Sequence, residues 1–89
     1  MRLEYDLRGD IAYIHVSPAA ANAIVDHTER VGSDDEYERG IDVGPDGTIV
    51  GYEFMNASHG LNLGGLPHRD ELAVFMAQVS GLRVLSSAG

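Results

Sequence analysis

Only one stretch of this chain carries the apolar spacing of a helix, and that restricts its fold more than any other feature. Leu72, Phe75, Met76 and Val79 stand at i, i+3, i+4 and i+7, so residues 67–80 place all four on one helical face. Asp70 and Glu71 lie near the positive end of that helix, and Gly81 follows as its stop. What precedes it alternates with the period-2 mark of strands. Leu3 and Tyr5 alternate with Glu4 and Asp6; after the turn Arg8-Gly9-Asp10, residues 11–16 read as a second strand and 24–31 as a weaker third. Residues 41–43 and 48–55 flank Gly44-Pro45-Asp46-Gly47 and read as a β-hairpin. Residues 32–40 read as a solvated loop or edge, 60–65 as a glycine-rich hinge or lid, and 82–89 as a short strand or tail. The expected fold is α+β: a small antiparallel sheet of four to five strands, built of hairpins or a meander, with one C-terminal amphipathic helix. Residues 1–59 form the sheet body; 60–89 add the connection, helix and tail of the same single domain.

A chain of 89 residues allows one domain and a modest core. At this size about 60–65% of the unfolded chain's surface is buried, and without cysteine neither disulfides nor thiolate metal sites add stability. Fourteen acidic residues against six basic ones, all arginine, give a formal charge of −8. A phosphate backbone would be repelled, so nucleic acid is not an expected partner. No apolar run approaches the roughly 20 residues that span a bilayer, and the first residues lack the apolar core of a signal peptide, which points to a cytoplasmic protein.

Two strands look apolar on both sides. Ala12, Ile14 and Val16 oppose Ile11, Tyr13 and His15; Val50, Tyr52 and Phe54 oppose Ile49 and Met55. One helix of about twelve residues spans only about 18 Å and covers one face. The other face predicts a like subunit as cover, hence a homo-oligomer, first a dimer.

These residues resemble a bacterial family catalogued as a domain of unknown function, DUF2283. The likeness is carried by Tyr5-Asp6, Asp10-Ile11-Ala12-Tyr13-Ile14, Gly40-Ile41-Asp42-Val43, Asp46-Gly47, Ile49-Val50-Gly51-Tyr52-Glu53-Phe54 and Ala57-Ser58. Gly44 stands where the family often has a second hairpin aspartate, Tyr52 replaces a common isoleucine, and residues from Gly60 onward fall outside the pattern. The resemblance implies a small antiparallel α+β domain that self-associates. It carries over no reaction, and implies an antitoxin-like, partner-binding role through genes that such families neighbour.

The sequence motifs weigh against most chemistries. Asp42, Asp46, Gly47, Ile49 and Glu53 fall at calcium-loop positions 1, 5, 6, 8 and 12, but Gly44 and Pro45 break the pattern and both flanks read as strands. His15, His27, His59 and His68 show no metal-ligand spacing, so no metal or cofactor is expected. Ser58-His59 lacks a nucleophile elbow, and residues 60–65 match neither a dinucleotide fingerprint nor a phosphate loop. Asn56-Ala57-Ser58 is a glycosylation sequon without use in a cytoplasmic protein, and the acidic run Ser33-Asp34-Asp35-Glu36 reads as solvated.

The candidate chemistry rests on His15 and Glu53. If the strands set them on one side with Tyr13, burial would raise the carboxyl toward neutrality and make it a general acid or base. The structural alternative is that Glu53 pairs with an arginine. Two functions follow. One is a homo-oligomeric binding module that takes a basic protein or an apolar small molecule. The other is a cofactor-independent cyclase or isomerase with catalytic Glu53 and His15, in a pocket at the subunit interface lined by Tyr13, Tyr52 and Met55.

Overall fold

The structure, a computed structural model, describes residues 1–16, 24–32, 38–79 and 84–85. In chain order it contains β1 (Arg2–Asp6), β2 (Ile11–His15), β3 (His27–Val31), β4 (Arg39–Val43), β5 (Ile49–Phe54), a 3-10 turn (Ala57–His59), β6 (Leu61–Asn62), α1 (Arg69–Val79) and β7 (Val84–Leu85). The first five strands form one antiparallel sheet in the order β1-β2-β5-β4-β3. It is a hairpin, β1–β2, joined to a meander, β3–β4–β5, along a seam where Ala12 opposes Phe54 and His15 opposes Gly51. One antiparallel sheet with one helix after it is the α+β fold that the two periodicities predict. The acidic run 33–36, the loop 17–22, the helix stop Gly81 and the tail 86–89 lie outside the described residues.

Alternation decides which side chains enter the core. Ala12 and Ile14 of β2, Tyr52 and Phe54 of β5, and Ile41 and Val43 of β4 point to one side and are buried. Leu72 and Met76 of α1 cover them, with Phe75 packed at the margin and Asp70 and Glu71 in the first helical turn. Ala57, Leu61, Leu63 and Leu66 complete the cluster. Residues 60–65 are therefore part of the core rather than a hinge or lid: burying each leucine contributes about 1.5–3 kcal/mol relative to leaving it in water.

Arg39 overturns the reading of residues 32–40 as solvated at their C-terminal end. It opens β4, is 6% exposed, and points to the core side, where Nη1 donates to the carbonyl of Asn62 at 2.9 Å and to that of Gly64. The guanidinium has donors enough to serve both carbonyls, so it fastens residues 61–66 onto the sheet. Beyond them, β6 pairs in parallel with β7.

The opposite face of the sheet is polar, which corrects the expectation of two apolar sides. A bulge between Asp42 and Val43 sets Val43 opposite Ile49, and this carries Ile49 to the core side, where it packs. Tyr13 and His15 stay on the second face, but with Glu4, Thr28, Arg30, Asp42 and Glu53 around them. The sheet thus has one apolar and one polar side, the usual state of a half-exposed antiparallel layer. A bare apolar face that a second copy must cover is not present among the described residues.

Candidate functional site

The polar face is assembled by register. One row across the sheet runs Glu4, Tyr13, Glu53, Gly40 and Arg30; the next runs Arg2, His15, Gly51, Asp42 and Thr28. Tyr13 does not stand over its own row. Its ring leans diagonally across Gly51, and its hydroxyl donates to Oδ2 of Asp42 at 2.7 Å. A Cβ at Gly51 would stand 2.5 Å from Cε1 and Cζ of that ring and closer still to the hydroxyl. A glycine inside a strand where another side chain lies on the backbone follows from this approach. Thr28 donates to the other oxygen, Oδ1, at 2.6 Å. Desolvation, reinforced by the hydrogen bond to the Asp42 carboxylate, pushes the Tyr13 phenol far above its ordinary pKa. Tyr13 therefore remains a donor at neutral pH.

His15 packs edge-on against Tyr13, with ring centroids 4.8 Å apart and planes at 60°. Its Nε2 lies 2.7 Å from Oε1 of Glu4, and Nη2 of Arg2 reaches the same oxygen at 2.9 Å. Glu53 accepts from Nη1 of Arg30 at 3.1 Å, which is the arginine pairing weighed from the sequence. The strands thus bring Tyr13, His15 and Glu53 to one face, but the imidazole and the Glu53 carboxylate belong to separate hydrogen-bonded pairs. Tyr52 is on the other side, 1% exposed, with its hydroxyl donating to the carbonyl of Pro67 at 3.2 Å. Burial, with Glu71 nearby, raises its pKa. Met55 follows β5 in a turn and is half-buried. The five nominated residues therefore do not line one cavity.

Nor do the described clefts gather them. An open cleft of about 710 Å³ runs along residues 65–71 at the start of α1, and one of about 390 Å³ lies among Val16, Ile49, Tyr52, His68 and Glu71. Neither is lined by Tyr13, His15 or Glu53. The calcium-loop carboxylates also diverge: Asp42 serves Tyr13 and Thr28, Glu53 faces Arg30, and Asp46 accepts from the amide of Thr48 at 3.0 Å inside the hairpin turn. That amide bond lowers the Asp46 pKa. Gly47 occupies the same turn with φ 83°. Among the described residues, no group of three or more His, Asp or Glu side chains is placed to hold a metal ion.

Ser58 is committed elsewhere. Its hydroxyl donates to Oδ2 of Asp10 at 2.6 Å, its amide to Oδ1 at 2.8 Å, and the Tyr5 hydroxyl to Oδ1 at 2.6 Å. The amide of Ala57 closes on the Asp10 carbonyl at 2.9 Å. Asp10 sits at φ 53°, a left-handed conformation that aspartate tolerates in turns. The Ser58 hydroxyl, then the Tyr5 hydroxyl, hold its carboxyl below the ordinary pKa. Two parts of the chain separated by 48 residues are clasped here.

The sequence reading missed Glu4, Thr28 and Arg30, and considered Asp42 only as a calcium ligand. Two signals pointed to them: Thr28 and Arg30 are two residues apart in a strand, and Gly51 interrupts an otherwise bulky strand. Compared with protein-family models, with curated proteins and with solved structures, the chain shows no match. No helix among the described residues is long and apolar enough to cross a membrane.

Proposed function

We propose that this chain is a homo-oligomeric, cytoplasmic binding module that presents its polar sheet face to a basic partner protein. The observation that carries the reading is the pairing of that face. Tyr13 with Asp42, His15 with Glu4 and Arg30 with Glu53 hold a fixed polar pattern across five strands, which suits recognition better than proton transfer. The net charge of −8 would steer a basic protein toward it. The likeness to DUF2283 belongs to the same reading, since Tyr5, Asp10, Ala57 and Ser58, all within the shared pattern, meet in one clasp. Co-purification from the native host at stepped salt, followed by mass spectrometry, tests it. A basic protein should be recovered at low salt and lost both at high salt and from an E4Q/E53Q variant. Recovery of the chain alone at every salt concentration counts against the proposal.

A small enzyme acting on an apolar metabolite is the second reading. It is supported by the shared face of Tyr13, His15 and Glu53. Turnover of such a compound that survives both Glu53→Gln and His15→Ala would remove the pair from any mechanism.

A further inference from the structure

β3 ends the sheet: no described strand pairs with its outer edge, and four of its five residues are exposed. Natural edge strands are commonly blunted by charge, because unpaired backbone groups there template further pairing. The charges of this edge, however, are arranged so that they oppose one another when the strand meets its own copy. A two-fold axis perpendicular to the sheet runs paired strands antiparallel and keeps each face on its own side. Only registers that pair residues of the same face are then open.

Five such registers are centred within β3, of which the one on Val31 overlaps only the end of the strand. Centred on Glu29, on His27 or on Arg30, the strand sets identical titratable or charged side chains against each other at the axis. Centred on Thr28, it sets Thr28 against Thr28, His27 against Glu29, Asp26 against Arg30 and Val25 against Val31. Threonine pairs and opposite charges are the favourable cross-strand combinations, and like charges the unfavourable ones. The chain still runs beside β4 at Asp26, whose amide donates to the Val43 carbonyl at 2.8 Å, so the pairing extends beyond β3 itself. Val25, 42% exposed, would meet Val31, which already packs against the core margin. The other edge offers a shorter match: β1 centred on Leu3 pairs Arg2 with Glu4 over residues 1–5 only, and centred on Glu4 it opposes two glutamates at the axis.

We propose that two copies of this chain join edge to edge through β3, antiparallel about a two-fold axis at Thr28. The proposal rests on the self-association contained in the functional reading and gives it a surface and a register. The joined sheet would carry ten strands, with both polar faces on one side and both cores on the other, so a partner would meet a doubled recognition surface.

The chain has no cysteine, so single cysteines report the register directly. Under mild oxidation Thr28→Cys should cross-link two copies, because directly opposed residues bring their Cα atoms within disulfide range. Arg30→Cys should not, since its copy would lie about 13 Å along the strand. By sedimentation the wild type should form a species of twice 9.6 kDa. Asp26→Arg should raise the dimer dissociation constant at least about tenfold, and D26R/R30D should restore it. Far-UV circular dichroism identifies variants that fold. A folded dimer that cross-links through Arg30→Cys, or not through Thr28→Cys, overturns the register while leaving self-association standing. A lone 9.6 kDa species at high micromolar concentration overturns both, whereas recovery of a basic partner is read separately by co-purification.

Discussion

The close approach of Tyr13 to Gly51 makes a quantitative prediction. Gly51→Ala places a methyl group inside the Tyr13 ring position, where Cε1 and Cζ lie 2.5 Å away. The ring has little freedom to yield, since Asp42 holds its hydroxyl and His15 packs against its side. Overpacking of this kind costs about 1–3 kcal/mol. Displacing the ring also breaks a hydrogen bond to a carboxylate, a further cost of about 1.5 kcal/mol or more. Against this, alanine in a strand gains about 0.5–1 kcal/mol over glycine. The net expectation is a destabilisation of about 1.5–4 kcal/mol, at the upper end of what single substitutions cost. In a Tyr13→Ala background the obstacle is gone, and Gly51→Ala should become neutral or stabilising by about 0.5–1 kcal/mol. Tyr13→Phe should relieve the conflict only in part, because the ring remains but its anchor does not. Urea unfolding followed by far-UV circular dichroism measures all four corners of the cycle, and suits a chain without tryptophan. Equal losses for Gly51→Ala with and without the tyrosine would refute the contact as the reason for the glycine.

Other outcomes follow from the same geometry. Leu61→Ala should destabilise by about 2–5 kcal/mol in urea, because its side chain is fully buried; a loss below 1 kcal/mol would return residues 60–65 to a hinge or lid. The Asp10 carboxyl has a lowered pKa, so its contribution is present above the unfolded value of 3.8 and is lost as pH falls through the folded one. The stability gap between wild type and Asp10→Asn should therefore close on acidification, and a gap constant down to pH 2 would contradict the clasp. His27, bonded to Asp26 and then to Glu29, has its pKa raised above 6.5, so its contribution is complete below 6.5 and fades as pH rises through the folded value. An NMR titration should find that elevated midpoint and see it fall in Asp26→Asn.

What the sequence disclosed and what it hid divide along physical lines. Alternation grouped Ala12 with Ile14 and Tyr52 with Phe54, because a strand's two faces are a local property; that both pairs share the core side required the pairing of β2 with β5. Helical spacing located α1 for the same reason. Ile49 was assigned to the wrong face because the bulge beside Asp42 depends on strand pairing, which no single strand reveals. Arg39 looked solvated inside a polar run; only its carbonyl acceptors at Asn62 and Gly64 make burial tolerable. Leu61, Leu63 and Leu66 were masked by the surrounding glycines, and their i, i+2, i+5 spacing follows neither the strand nor the helix period. The tie from Tyr13 to Asp42 spans 29 residues and required two registers, that of β2 with β5 and that of β5 with β4. Arginine as the partner of Glu53 was anticipated by chemistry alone; that it is Arg30 was not.

The seam between β2 and β5 also bears on how the molecule comes together. Each half of the sheet has a contiguous stretch of chain to draw on, whereas their union brings Ala12 to Phe54 and closes a far longer loop. On a ribosome, the first hairpin emerges early and must wait for residues 49–54 before the centre of the layer exists. The strand that arrives last in the sheet is thus the one with which both β2 and β4 pair, and its docking carries the largest loop closure of the layer.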